Sequence, residues 1–396
     1  MKASVHPLGA PVDLTSCLAD PRGYLWSRYG EGYAGWDDAL RIEPGTGPGR
    51  FERAEHELSE FFGSLDGVEP QHPPVAFASF TFDDEIPGSV VAVPSTLVGR
   101  RAGTSWLTYL GEQRPEIRTY ETSPFEVRYA GSSVSELDWI DAVARAVKQI
   151  QGTDLRKVVL ARDIHIWSKT PFDVRSILRR LSRRFAECYT FAVDGFLGAT
   201  PELLLGKRGS QITSLVLAGS APRADGPDDR SIGDALLASE KDRDEHILAV
   251  DSVTEVLEEI AEGVVVEPPH LLKLANVQHI ATKITATVPA SASSLAIVSA
   301  LHPTAAVCGT PRAEAAQAIR SLEGLNRARY AGPVGWTAPN GDGQWGIALR
   351  CAEIDGTRGR LFAGGGIVAA SEPEEELEET RVKFHAVMSA LGRELG

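Results

Sequence analysis

The sequence predicts an α+β protein with a mostly antiparallel sheet. Segments with strand character come in runs joined by tight turns instead of alternating one for one with helices. Helical periodicities fall between those runs. The glycine run Gly364-Gly365-Gly366 has neither the spacing nor the strand-to-helix context of a dinucleotide-binding loop, which sets a doubly wound sheet aside.

In chain order, residues 1 to about 130 read as short strands broken by Gly/Pro turns, among them PVAFASFTF (74–82) and SVVAVPSTLVGR (89–100), with one helix around 50–64. In SSVSELDWIDAVARAVKQIQ (132–151), Ser135 can cap a helix carrying Trp139, Ile140, Val143, Val147 and Ile150 on one stripe. KVVLARDIHIW alternates, with Val158, Leu160, Ile164 and Ile166 on one face and Lys157, Asp163 and His165 on the other, as a strand requires. Further strands are expected at 190–199, 202–209, 212–220, 332–339, 343–354 and 360–369. Helices are expected at 173–186, 241–262, 291–302 and 312–322, and from 373 to the end. In the helix at 241–262, Ile247, Leu248, Val253, Val256, Leu257 and Ile260 are the expected core residues.

A chain of 396 residues that is 43% hydrophobic can bury a large core, as two packed lobes or one large domain. Forty basic against 54 acidic residues leave a net charge of −14 with no Lys/Arg block, which argues against nucleic acid or an anionic membrane as partner. A small anionic substrate would need local positive charge. Cys17, Cys188, Cys308 and Cys351 form neither a disulfide framework nor a zinc pattern, which fits a reducing cytoplasm. The start MKASVHPLGAPVDL has no apolar leader core, and no window reaches the roughly eighteen apolar residues of a membrane span. A soluble cytoplasmic protein is expected.

The stretch AGGGIVAASEPEEELEETRVK (363–383) poses the main functional question: its glutamates are either a solvated helix face or the seat of a cation. Ser371 and Glu374 have capping-box spacing, and Pro373 suits a first turn. At about 100° per residue Glu376, Glu379 and Lys383 share one narrow strip beside the apolar stripe Leu377, Phe384, Val387, Met388 and Leu391. Two like charges at that spacing disfavour each other unless Lys383 or a hard divalent cation lies between them. Glu245 in KDRDEH, taken alone, reads as a solvated residue.

Ten motifs stand in order along the chain: KVVLAR, GATPELLL, LAGSAPR, KDRDEH, NVQHI, LHPTAAVCGTPR, YAGPVG, GIALRCAEI, AGGGIV and EEELEETRVK. Together they resemble the chorismate-utilising enzymes, and within that family the isochorismate synthases, over roughly residues 132–396; the N-terminal third matches only loosely. The resemblance implies a large antiparallel sheet core flanked by helices, in which residues 1–130 are an N-terminal variable part of the same fold and 131–396 the chorismate-binding catalytic domain. It further implies chorismate as substrate, Mg²⁺ as cofactor, and Glu245, Glu376 and Glu379 as the carboxylates that hold the ion, leaving Glu374, Glu375 and Glu378 solvated. The implied reaction adds water at C2 of chorismate as the C4 hydroxyl leaves. Lys157 resembles the family's general base and Glu202 its general acid. A lysine must be neutral to accept a proton and a carboxyl protonated to give one, and a water-poor cleft favours both forms.

On the same resemblance, Tyr330 and Arg350 bind the substrate's pyruvyl carboxylate, and Arg350 is read as alternating with Ile347 and Leu349 on its strand. Gly364 and Gly366 let backbone N–H groups approach a carboxylate. Gly219 and Ser220 resemble a substrate loop, and Lys383 pairs with the carboxylates or the substrate. His279 is either a satisfied core histidine or a neighbour of the substrate or its leaving hydroxyl. Ala306 and Val307 are apolar where aminating and salicylate-forming relatives commonly carry threonine, which favours stopping at isochorismate. A lysine at position 157 points away from anthranilate synthesis, and no amidotransferase partner is expected. A monomer is expected. Salicylate synthase, or a non-catalytic chorismate-binding subunit, are the alternatives; menaquinone and siderophore pathways both begin with this reaction.

Overall fold

The computed structural model describes residues 1–18, 21–224 and 226–392. The N-terminal third holds β1 (Ala3–Leu8), β2 (Tyr24–Arg28), β3 (Glu31–Ile42), α1 (Arg50–Gly63), β4 (Ala76–Ser79), β5 (Val90–Arg101), β6 (Thr104–Leu110) and β7 (Arg128–Gly131). Next come α2 (Glu136–Gly152), β8 (Lys157–Trp167), α3 (Val174–Arg184), β9 (Tyr189–Val193), β10 (Phe196–Thr200), β11 (Leu203–Arg208) and β12 (Gln211–Pro222). They are followed by α4 (Pro227–Ala238), α5 (Glu240–Ile260), β13 (Glu262–Val266), β14 (His270–Lys273) and β15 (Val277–Thr287). The chain closes with α6 (Ser294–Leu301), β16 (Gly309–Thr310), α7 (Arg312–Leu322), β17 (Pro333–Thr337), β18 (Gly343–Ile347), β19 (Cys351–Asp355), β20 (Arg358–Ile367) and α8 (Pro373–Ala390). Residues 393–396, part of the helix expected to run to the end, lie outside the described residues.

Every pairing between these strands is antiparallel, as the runs of strand signals foretold. β5 pairs with β3, β4 and β6, and two arms leave from it. One arm runs β3–β2–β9–β10–β19–β20–β8, with β7 and β16 on the far edge of β8. The other runs β4–β17–β18–β11–β12–β15, with β13 and β14 on the far edge of β15. Along the first arm both faces are covered. Trp26, Phe196 and Phe362 point into one core with Trp139 and Phe77, while their neighbours Leu25, Leu197, Leu361 and Ala363 point into a second core built on α3 and α8. A strand buried on both faces has no polar alternation, which accounts for continuous apolar runs such as LFA.

Several expected elements differ in detail. The strand expected at 190–199 is the hairpin β9–β10, because Asp194 and Gly195 both take positive φ, the two-residue turn that an Asp-Gly pair favours. The strand expected at 343–354 breaks into β18 and β19 around Arg350, whose φ is 47°. Arg350 is therefore a corner residue and does not alternate along a strand. In α5 the buried stripe is His246, Ala249, Val250, Val253 and Leu257, leaving Ile247 at 50% and Ile260 at 38% exposure, so the expected stripe was out of phase at both ends. Ser135 does cap α2, accepting from the Asp138 N–H. Ser371 does not cap α8: Glu372 is the N-cap, while the Ser371 hydroxyl accepts from the Val368 N–H and donates to Glu376 Oε1 at 2.7 Å. The four cysteines are free and buried. Among the described residues no helix is long and apolar enough to cross a membrane.

A buried ion pair ties α7 to β8. Arg327 donates to both oxygens of Glu323 at 2.7 and 2.6 Å and to the carbonyls of Val307 and Val159, while Glu323 Oε2 also accepts from the Ala161 N–H. The two residues are 4% and 2% exposed, so deleting one partner strands a charge in the interior. Glu323→Ala is expected to cost about 3–5 kcal/mol, read as a lower urea midpoint at unchanged m-value.

Candidate active site

The two sheet arms meet at one cleft. β8 and β20 line one side and β12 and β15 the other, with α5 and α8 closing it. The pairing of β20 with β8 sets Gly366 opposite Val159 and Gly364 opposite Ala161, and β16 places Thr310 opposite Lys157. Side chains on β20 would fill the space. A Cβ at Gly366 would come within 3.0 Å of Lys157 Cε and crowd Glu245, and one at Gly364 would stand 3.0 Å from the Tyr330 hydroxyl. On the opposite face of the strand, a Cβ at Gly365 would stand 3.2 Å from Glu376 Oε2. The glycine run is thus a place where carboxylates and an amine crowd a backbone. Across the cleft, Gly219 takes φ +74° at a bulge in β12, which sets Ser220 opposite His279.

Three carboxylates and three ammonium groups meet here one to one. Lys157 Nζ lies 3.0 Å from Glu245 Oε1, with the lysine side chain wholly buried. Lys241 Nζ donates to Glu376 Oε1 at 2.9 Å, and Lys383 Nζ lies 2.6 Å from Glu379 Oε1. Ser220 adds a hydrogen bond to Glu379 at 2.9 Å, and Lys383 also donates to the Gly364 carbonyl at 2.9 Å. Burial and the neighbouring Glu379 raise the Glu376 pKa above the ordinary carboxylate value. For Glu379 burial pushes the same way, but Lys383 and Ser220 outweigh it and the carboxyl is held low. Glu374, Glu375 and Glu378 are exposed, as expected from the helix wheel.

Glu202, 4% exposed, sits at the cleft end of β11. Burial drives its pKa from 4.5 up to about 8, against the opposing pull of Lys157 and of a hydrogen bond from the Leu217 backbone. A carboxyl in that state carries its proton at neutral pH. Arg350 is 8% exposed; its Nη2 donates to His279 Nε2 at 2.6 Å and its Nη1 is buried without a partner. Because Nε2 accepts, the ring proton resides on Nδ1, which faces the Gly219 carbonyl at 3.3 Å. Burial, then the charges of Arg350 and Lys383, hold the His279 pKa well below its usual value, so the ring is neutral. Tyr330 stacks on Phe362 with centroids 5.2 Å apart, and burial pushes its hydroxyl pKa up. Ala306 and Val307 form an apolar part of the wall.

Thirteen of the fifteen expected site residues line this one cleft. The other two, Lys157 and Glu376, stand behind its lining, against Glu245 and Gly365 respectively. Sequence reasoning passed over Lys241 and Asp242, and took Ser371 for a helix cap where it binds Glu376. Asp242 lies against Gly219, 3.1 Å from a Cβ there, and its pKa is raised by burial, with Glu245 and Glu379 pushing the same way. Its signal was available: Asp242 and Glu245 have the same i,i+3 spacing that singled out Glu376 and Glu379.

Hard oxygen donors suit a divalent ion such as Mg²⁺. Glu376 Oε2, buried without any partner, is the orphan acceptor such an ion would satisfy. Among the described residues no three His, Cys, Asp or Glu side chains are already gathered closely enough to hold a metal, each of the three glutamates being engaged by a lysine.

The chorismate binding enzyme family matches residues 110–392. The chain belongs to the chorismate-binding enzymes. Among its curated relatives, isochorismate synthase DhbC of Bacillus subtilis is 38% identical over 269 residues, which is 64% of this chain and 68% of the relative. Isochorismate synthase EntC of Escherichia coli is 40% identical over 259 residues, 63% of this chain and 66% of the relative. The crystal structure of DhbC from Bacillus anthracis superposes with a TM-score of 0.82 at 29% identity, covering 95% of this chain and 97% of that one. Arg350 and Lys383 are the arginine and lysine that line the cleft of this chorismate-binding enzyme, within an otherwise acidic chain.

The protonated Glu202 leaves a mark on stability. Its folded pKa of about 8 lies above the 4.5 of the unfolded chain, so its contribution is full below the unfolded value and is lost as pH rises through the folded one. Glu202→Gln cannot release a proton. Urea unfolding of both proteins at about pH 5 and about pH 8 is expected to show the parent losing more stability than the variant. The difference should reach a few kcal/mol, since each tenfold change in proton affinity is worth about 1.4 kcal/mol. Equal pH slopes would rule out the raised pKa.

Proposed function

We propose that this chorismate-binding enzyme converts chorismate to isochorismate, adding water at C2 and releasing the C4 hydroxyl. The observation that carries the proposal is the pairing of a buried amine and a protonated carboxyl at one cleft: Glu202 is held protonated by burial and is near enough to Lys157 to feel its charge. Isochorismate formation needs one group to take a proton from water and another to give one to the departing hydroxyl. Lys157 is assigned the first task, which it performs in the neutral form once it has given up the proton that pairs it with Glu245, and Glu202 the second. The isochorismate synthase names of DhbC and EntC support the same product.

Arg350 binds a substrate carboxylate through its unpartnered Nη1, with His279 holding the guanidinium in place and Tyr330 beside it. Gly364 and Gly366 keep the cleft wall free of side chains, Gly219 and Ser220 shape the opposite wall, and Lys383 lies between Glu379 and the substrate space. Glu245, Glu376 and Glu379 are assigned to Mg²⁺, which when bound orients a carboxylate and offsets developing negative charge. Ala306 and Val307 offer the substrate no hydroxyl, which fits release at isochorismate without pyruvate elimination. On this proposal residues 131–396 carry the chemistry and 1–130 form the variable part. Water is the nucleophile, so no amidotransferase subunit is required. Four free buried thiols suit a reducing cytoplasm, and the protein is proposed to act as a monomer.

Purified protein given chorismate and Mg²⁺ is expected to yield isochorismate alone by product chromatography; salicylate with pyruvate, or no turnover, would overturn the proposal. Lys157→Ala is expected to lose about 10²–10⁴-fold in kcat while still folding cooperatively, at a lowered melting temperature because Glu245 loses its buried partner. Because the acid must be protonated, kcat/KM of the parent is expected to fall as pH rises through about 8, the value to which burial lifts Glu202 in the free enzyme.

A further inference from the structure

Lys241 lies outside the catalytic assignments above, yet it engages the most deeply buried carboxylate of the cluster. It sits in the first turn of α5, whose N-cap is Ser239. Its ammonium donates to Glu376 Oε1 at 2.9 Å and also feels Glu379 and Glu245. Glu376 is 1% exposed; Ser371 binds the same Oε1 at 2.7 Å, and Oε2 has no partner. A carboxylate so placed beside Glu379 needs a nearby positive charge.

The three lysines of the cluster differ in freedom. Lys157 has no exposed side-chain surface, and Lys383 is tied to the Gly364 carbonyl as well as to Glu379. The Lys241 side chain is 34% exposed, and Glu376 Oε1 is its one hydrogen-bond acceptor among the described residues. It can swing into water without uncovering a second buried partner.

Given the assignment of Glu245, Glu376 and Glu379 to the divalent ion, we propose that Lys241 is a tethered counter-ion. Its ammonium neutralises Glu376 in the metal-free enzyme and is displaced when a divalent cation takes that carboxylate. The lysine thereby sets metal affinity by competition: it weakens binding of the ion while keeping the empty site from carrying an unbalanced buried charge. A lysine that merely shaped the site for the ion would act in the opposite direction.

The test uses Mn²⁺ as the probe and the signal of free Mn²⁺ in electron paramagnetic resonance as the readout, with no substrate present. Lys241→Gln is expected to bind Mn²⁺ about two- to fivefold more tightly than the parent, the size of effect expected for removing one partly exposed ion pair. Its melting temperature without metal is expected to be lower than the parent's, and its rise on adding saturating Mn²⁺ larger. Lys241→Arg, which keeps the charge, is expected to bind like the parent. Equal or weaker Mn²⁺ binding by Lys241→Gln overturns the counter-ion role while leaving the ligand assignment standing. No Mn²⁺ binding by either protein overturns the ligand assignment and the counter-ion role with it. Isochorismate formation, assayed separately, bears on neither result.

Discussion

A carboxylate withdrawn from water must be matched by a positive charge or keep its proton. The cleft of this enzyme is organised around that requirement. Glu245, Glu376 and Glu379 take the first solution, each against its own lysine. Glu202, where burial outweighs the pull of Lys157 and of a backbone hydrogen bond, takes the second. The glycine run of β20 leaves room for the Lys157–Glu245 pair on one face and for Glu376 on the other, where side chains would crowd them. The proposed chemistry, which needs an acid and a cation site in one small volume, draws on both solutions.

The same economy of charge holds at Arg350, the residue proposed to bind a substrate carboxylate. Arg350 occupies a corner at positive φ, a conformation that non-glycine residues rarely adopt and that must be held by its surroundings. The neutral ring of His279 accepts one arm of the guanidinium and leaves another unpartnered. A protonated histidine there would repel the arginine, so burial of the ring is what allows it to act as a brace.

Legibility in the sequence followed the physics of each segment. Ser135 announced α2 because a side-chain cap is a local event, and Glu376, Glu379 and Lys383 fell on one strip because helical spacing is local too. The grouping of thirteen site residues on one cleft rested on the ordered motifs, since nothing in spacing alone joins Glu202 to Gly366. What escaped was set by tertiary context. Arg350 read as a strand residue because its corner is imposed by packing. Ser371 read as a cap because its hydroxyl had an equally local alternative, which a buried glutamate claimed. Strands covered on both faces lost the alternation that would have marked their boundaries. Lys241 and Asp242 looked like ordinary first-turn charges, because the approach of α8 gives Lys241 its partner and the bulge of β12 sets Gly219 against Asp242.

The two arms of the sheet also bear on how the protein can be divided. Strands from the loosely matching N-terminal third lie inside the arms: β2 is paired with β9, and β4 with β17. Severing the chain near residue 130 would strip those neighbours away and leave β9 and β17 with unsatisfied backbone edges, which are templates for self-association. The N-terminal segment is therefore free to drift in composition but not to be dispensed with, and a shortened version of this enzyme would be a candidate for inclusion bodies before it was a candidate for assay.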